Sequence, residues 1–301
     1  MIQKKRAIAL GFFDGIHIGH AELMKKTLEI GAAKSLIPSV ITFDTHPKSF
    51  IGGQTVPLIN SPQDRAGLIH RLFGIDDIIF LHFDSNTAEM PWDVFIEHIT
   101  EEFGARHLIA GHNFKFGRRG EGSSEVLRQK CTDMQLGCDI IPAVKCGGIT
   151  SSSTHIRELI AAGDIEGANS FLGHPHVLSD VVRYGYRLGR TLGTPTINMC
   201  FGDGVLIPAL GVYATKVYLD DGSVRTGVTN VGYRPTVNSF GDKTITAETH
   251  ILNYQGNLYG KQVRIEFYTR LRPEKKFGGV DDLKAQIQKD CDAAFEYFKN
   301  E

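Results

Sequence analysis

The stretch RAIALGFFDGIHIGH, Arg6 to His20, decides how the first half of the chain is read. Its opening run, RAIALGF, is apolar without alternation, the pattern of a strand buried on both faces of a parallel sheet. Glycines interleaved with Asp14, His17 and His20 follow, and then a helical pattern, HAELMKKTLEIGAAK, with Leu23, Leu28 and Ile30 available for packing. Strand, glycine loop and helix make a βα unit whose loop lies beyond the carboxyl end of the strand, where such sheets bind ligands. Glycines let backbone approach a ligand closely, and a helix N-terminus offers amides to phosphate. His17 and His20, at i and i+3, share a helical face, so both imidazoles can meet one bound group. Two such rings on a triphosphate would stabilise the charge that moves onto a leaving pyrophosphate. Surface or capping histidines are the plainer reading of an HxxH taken alone.

Working outward, strand and helix patterns alternate. IPSVITFD is a second apolar strand, and SPQDRAGLIHRLFG is a helix with Ser61 as cap and Pro62 at its first position. IDDIIFLHF, PWDVFIEHITEEFG and ARHLIAG add a strand, a helix and a strand, and GHNFKFG comes after the last of these on the same sheet edge. After about residue 175 the pattern changes. VVRYGY, GVYATKVYLD, RTGVTNVG, TAETHIL and QVRIEFYTRL are β-type runs parted by DDGS and YQGN turns, as in a small antiparallel barrel. A final helix carries Leu283, Ile287, Cys291, Ala294, Phe295 and Phe298 as one stripe. The expectation is an α/β domain with a parallel sheet over 1–175, then an antiparallel β-barrel domain with a C-terminal helix over 176–301.

Composition narrows the functions. The 301 residues carry a formal net charge of −1, so no global field draws the protein to nucleic acid or to anionic membrane. An anionic substrate must be caught by local groups. The five cysteines form no CxxC pair, which fits reduced thiols in a cytoplasm rather than a zinc site. No apolar run reaches transmembrane length.

A second element joins the histidines. SSSTHIREL, Ser151 to Leu159, places hydroxyls at a helix start with Arg157 one turn on. Ser153 and Thr154 are ordinary caps, but hydroxyls with an arginine also make an anion clamp. HxGH after the first strand with this hydroxyl–arginine motif resembles the nucleotidyltransferase superfamily. FFDGIHIGH, TFDTHP, GHNFKFGRRGEG and SSSTHIRELIAAGDIEGANSFLG, in that order, resemble the prokaryotic bifunctional riboflavin kinase/FMN adenylyltransferases along nearly the whole chain. The resemblance implies a Rossmann-like first domain that transfers AMP from ATP to FMN, giving FAD and pyrophosphate. It implies that Gly11, Phe13, Asp14, His17, Gly19 and His20 hold ATP and that Ser153, Thr154 and Arg157 close over its phosphates. Asn113 and Phe116 fall in the family's FMN- and ATP-contacting motif, with Gly111 and Gly117 shaping the loop; core packing is the equal alternative for Phe116.

In the second half, GRTLGTPTINM carries Thr196 and Asn198 two residues apart, facing one way in a strand. Two neutral oxygens suit a magnesium that keeps its waters and bridges ATP phosphates. The same resemblance implies a flavokinase barrel here, converting riboflavin to FMN with Mg-ATP. It implies Glu248 as the base for the riboflavin 5′-hydroxyl, Arg272 and Glu274 on the flavin side, and Gly185, Arg190, Gly193 and Pro195 about the nucleotide. Phe12, Thr194 and Ile197 depart from the family's usual residues. The other readings are a chain with one active half, the adenylyltransferase, and a flavin- or nucleotide-binding regulator on a disabled synthetase.

Overall fold

The computed structural model describes residues 4–47, 55–184, 194–233 and 244–299. These divide into two compact units, Met1–Ser153 and Thr154–Glu301.

In the first unit, strands β1 (Arg6–Leu10), β2 (Ile37–Phe43), β3 (Asp77–Leu81), β4 (Ala105–Gly111) and β5 (Gly137–Ile141) form one parallel sheet in the order β3-β2-β1-β4-β5. Helices α1 (Ile18–Lys34), α2 (Pro62–Phe73), α3 (Ser85–Glu89), α4 (Trp92–Phe103) and α5 (Ser124–Asp133) connect the strands. A short hairpin of β6 (Lys145–Cys146) and β7 (Ile149–Thr150) closes the unit. Residues Ala7 to Leu10 of β1 are at most 1% exposed, as a strand covered on both faces requires. Ser61 caps α2 by accepting the Asp64 amide at 3.0 Å, with Pro62 at the first position, as its sequence implies. On α1 the buried side chains are Leu23, Met24, Thr27 and Ile30, so Met24 replaces Leu28 on the expected packing face.

The strand order puts the reversal of direction between β1 and β4, the crevice where open α/β sheets take ligands. Leu10 pairs with Ala110, so the loops beginning at Gly11 and Gly111 leave the sheet side by side.

From Thr154 the second unit takes in the rest of α6 (Ser153–Ala162) and α7 (Ile165–Leu172). The pattern change expected near 175 therefore falls inside this unit, because both helices pack against the barrel half of the chain. Asn169 donates to the Phe267 carbonyl at 2.8 Å, and the Ala209 amide donates to the Ile160 carbonyl at 3.2 Å. An antiparallel sheet comes next in the order β8-β13-β10-β11-β12-β9, made of β8 (His176–Val181), β9 (Thr196–Cys200), β10 (Gly211–Tyr218), β11 (Val224–Tyr233), β12 (Ile245–Ile251) and β13 (Gln262–Pro273). Its edges meet: the Arg183 amide donates to the Asn198 carbonyl at 2.9 Å, and the Cys200 amide to the Asp180 carboxylate at 2.8 Å. The sheet curls into a small barrel. Its first strand ends at Val181 rather than starting there, which displaces the strand expected at VVRYGY by one strand length.

Inside the barrel, Thr215, Thr229 and Thr249 are unexposed and hydrogen-bonded in a row at 2.9 and 2.8 Å, which satisfies their buried hydroxyls. The outer face carries Val212, Ala214 and Val228 against Ala294 of the last helix, α8 (Val280–Lys299). The predicted stripe on α8 needs one correction. Phe295 is 53% exposed, whereas Asp290 is 4% exposed because Arg272 pairs with it.

Candidate active sites

The β1–α1 loop is held in a conformation that side chains resist. Phe13 (φ 56°) and Ile16 (φ 45°) occupy the left-handed region, and both are 1% exposed. Non-glycine residues adopt it when surroundings over-determine them, a condition that clusters at ligand sites. The Asp14 carboxylate provides part of that hold by accepting the Ile59 amide at 2.9 Å and the Asn60 amide at 3.3 Å. It is 2% exposed, so it shapes the loop from within. Ser153 Oγ, at the end of the first unit, donates to the Asp14 carbonyl at 2.8 Å.

His17 is the cap of α1, one residue before its first turn. Its Nδ1 accepts from the Gly19 amide at 3.1 Å and the His20 amide at 3.3 Å. The expectation that these amides await a phosphate is therefore corrected: the imidazole itself satisfies them. The arrangement fixes the tautomer, since an Nδ1 that accepts carries no proton and Nε2 becomes the ring's donor. A Cβ on Gly19 would come within 2.9 Å of the His17 ring, so glycine is required there. His20 stacks on His17 with centroids 3.6 Å apart and meets Phe13 edge-on at 5.2 Å. Burial, then the neighbouring His17 and Arg65, hold the His20 pKa well below the usual histidine value. The His20 ring is neutral at neutral pH.

Beside this loop, Asn113 is exposed beyond the carboxyl end of β4. Phe116 is 6% exposed, stacks with Phe114 at 5.3 Å and packs in the core. Gly117 has φ 73°, and a Cβ would lie 2.6 Å from the Trp92 backbone, whereas Gly111 has room. Thr154 and Arg157 lie in the first turns of α6 within the second unit, exposed and half-buried respectively. Gly185, Arg190 and Gly193 lie outside the described residues.

In the barrel, register assembles the site. Asn198 of β9 pairs with Glu248 of β12, and Thr196 with His250. Glu248 pairs in turn with Asn230 of β11, Asn230 with Val212, and Val212 with Arg272. Paired residues share a face, so one row crosses the sheet under α8. A cavity of about 260 Å³ lies over this row, lined by Thr196, Asn230, Glu248, Arg272, Glu274 and Phe277 among others. A second, of about 530 Å³, is lined by Pro195, Thr196, Tyr184 and Tyr259, and the rings of the two tyrosines stack at 4.1 Å. Thr196 borders both. Asn198 is 5% exposed, and among the described residues its Oδ1 meets no donor. Arg272 is engaged by Asp290, with contacts of 2.9, 3.1 and 2.8 Å. It thus fixes the wall of the cavity. Asn230, Phe277 and Asp290 also line the cavity, though the sequence reading does not single them out; for Asn230 the available signal is the i, i+2 spacing of β11 with its partner strands.

Residues 1–155 match the family described as FAD synthetase, and residues 172–298 match the family described as riboflavin kinase. A Bacillus subtilis protein named bifunctional riboflavin kinase/FMN adenylyltransferase is 33% identical over 99% of this chain and 94% of its own length. Proteins of the same name from Haemophilus influenzae and Escherichia coli K12 are 32% and 31% identical, each over 98% of this chain and 94% of theirs. A crystal structure of a Streptococcus pneumoniae protein described as a macrolide-efflux protein superposes with TM-score 0.84 at 27% identity, over 97% of this chain and 94% of that one. Among the described residues here, no helix is long and apolar enough to cross a membrane.

Proposed function

Since the chain belongs to the bifunctional riboflavin kinase/FMN adenylyltransferase family, we propose that its two sites share the work in sequence. The protein phosphorylates riboflavin to FMN, then transfers the adenylyl group of ATP to FMN, giving FAD and pyrophosphate. Adenylyl transfer is assigned to residues 1–175 and phosphorylation to 176–301.

At the first site an FMN phosphate oxygen attacks the α-phosphorus of ATP as pyrophosphate departs. A phosphate is already anionic, so positioning and charge stabilisation suffice without a base. His17 Nε2–H, its tautomer set by the α1 cap, and the neutral ring of His20 donate toward the polyphosphate. Gly11, Phe13, Asp14 and Gly19 shape the loop that receives ATP, and Asn113 and the loop from Gly111 to Gly117 border the flavin. Ser153, which bonds the Asp14 carbonyl, belongs to this loop's phosphate side; the family resemblance adds phosphate contacts by Thr154 and Arg157.

At the second site a hydroxyl must attack, and a positioned base helps. Glu248 takes the riboflavin 5′-hydroxyl proton as the oxygen attacks the γ-phosphorus, the bond to the β,γ-bridging oxygen breaks and ADP departs. Flavin occupies the cavity under α8 with Arg272 and Glu274, and nucleotide the one bordered by Pro195. The unpaired buried Oδ1 of Asn198 and the neighbouring Thr196 oxygen fit magnesium, which would neutralise phosphate charge there. The observation that carries this reading is Thr196 on the border of two cavities, one holding Glu248. Riboflavin with Mg-ATP should yield FMN first and FAD after it on a chromatographic time course. FAD from FMN without FMN from riboflavin would leave only the first half active. Ligand binding without either product would make the chain a regulator.

A further inference from the structure

In the helix SPQDRAGLIH, Arg65 stands at i, i+3 and i+4 with Leu68 and Ile69, on the face that the core covers, and it is 0% exposed. Its Nη1 donates to Thr42 Oγ1 at 2.9 Å and to the Phe43 carbonyl at 2.8 Å, at the carboxyl end of β2. Thr42 in turn donates to the Phe12 carbonyl at 2.8 Å, and the guanidinium lies 4.3 Å from the Phe12 ring centroid. Among the described residues, its Nε and Nη2 meet no acceptor. Nearby Asn60, 1% exposed, likewise has both side-chain amide atoms without a partner. A buried cation with open donors is costly unless something supplies the opposing charge. Asp14 and Asp44 supply opposing charge from a distance, while their oxygens accept other donors: Asp14 the Ile59 and Asn60 amides, Asp44 His82 at 2.7 Å and the Phe83 amide.

We propose that Arg65 is a positioning residue of the adenylyl-transfer site, a buried cation that anchors the β1–α1 loop through Phe12 and sets a fixed positive charge behind it for the polyphosphate of ATP. This rests on the assignment of that loop to adenylyl transfer. Phe12, a departure from the family's usual residue, gains a reason: its ring covers the guanidinium, and His46 packs edge-on against it at 4.6 Å. Burial draws the Arg65 pKa down to about 10, with Asp14 and Asp44 opposing, so the charge persists at neutral pH. Among the described residues, the charged and titratable groups about the loop include Asp14, Asp44, His17, His20, His46 and Arg65, and the same charge helps keep His20 neutral.

The test uses the full chain with Arg65→Met and Arg65→Lys, measuring FAD formation from FMN and ATP across pH 6 to 9. Thermal unfolding checks the fold. Arg65→Met should lower kcat/KM for ATP about 10²-fold, the scale of one preorganised charge, with KM for FMN little changed. Arg65→Lys should restore much of it at low pH and lose it as pH rises, because a buried ammonium gives up its proton far below its usual range. A folded Arg65→Met within threefold of the parent overturns the proposal. So does a defect confined to KM for FMN, or a folded Arg65→Lys whose loss is the same at every pH. If Arg65→Met does not fold, the Arg65→Lys profile decides. A parent protein that makes no FAD would refute the underlying assignment instead.

Discussion

The two sites are built by opposite means. The first hangs on backbone: a loop beyond a parallel sheet, two left-handed non-glycine residues, and a histidine that caps its own helix. The second hangs on register: side chains of Asn198, Glu248, Asn230 and Arg272 set in one row by strand pairing. The chemistry matches the construction. On the proposed assignment, phosphate attack asks for alignment and charge, which a loop with stacked imidazoles would supply, whereas hydroxyl attack asks for a base at a defined place, which a strand pair would fix.

Four measurements put this contrast at risk. Glu248→Ala should cut FMN formation by roughly 10²–10⁴-fold, the scale of a lost general base, and leave FAD formation from FMN unchanged. His20→Ala should do the reverse, lowering FAD formation by about 10²-fold or more. Either variant, folded, crippling both reactions would mean that the sites are not separately built. Asp290→Ala strands the Arg272 guanidinium in the cavity proposed for flavin. Because Arg272 keeps some water, the cost should be about 2 kcal/mol, below the roughly 3–5 of a fully buried pair, read by denaturant unfolding together with a raised KM for riboflavin.

The smallest effect is a pH dependence of stability. Burial, with a lesser push from His174, lowers the His176 pKa to about 3. The unfolded chain then binds the proton first, so stability is full above about 6.5 and falls as pH drops toward 3. By about pH 5.5 the loss should be on the order of 1 kcal/mol, and His176→Gln should flatten it. An unfolding midpoint for the second unit that does not move between about pH 7.5 and 5.5 would contradict this.

Much of the fold was legible in the sequence because its signals are local. The Ser61–Pro62 cap, the apolar runs of β1, β2 and β4, and the turns between later strands each announce an element within a few residues. The differences arise where a distant partner decides. The first barrel strand is His176–Val181 because β13 pairs with it there. Asp290 sits buried on α8 because Arg272 reaches it, and Phe295 is left exposed. Phe116, equally a binding or a core residue by type, is placed in the core by Phe95 and Phe114.

The order of residues alone is enough to show that a βα unit opens the chain, that histidines, hydroxyls and an arginine punctuate it, and that a β-rich half carries Thr196, Asn198 and Glu248. Periodicity and motif order carry that much, since both can be read along a single line of text. It took the folded chain to show that His17 caps its helix, that Glu248 faces Asn198, and that Arg65 lies buried beneath Phe12. Such facts depend on residues far apart in the chain competing for the same space and the same hydrogen bonds, and no local pattern records who wins.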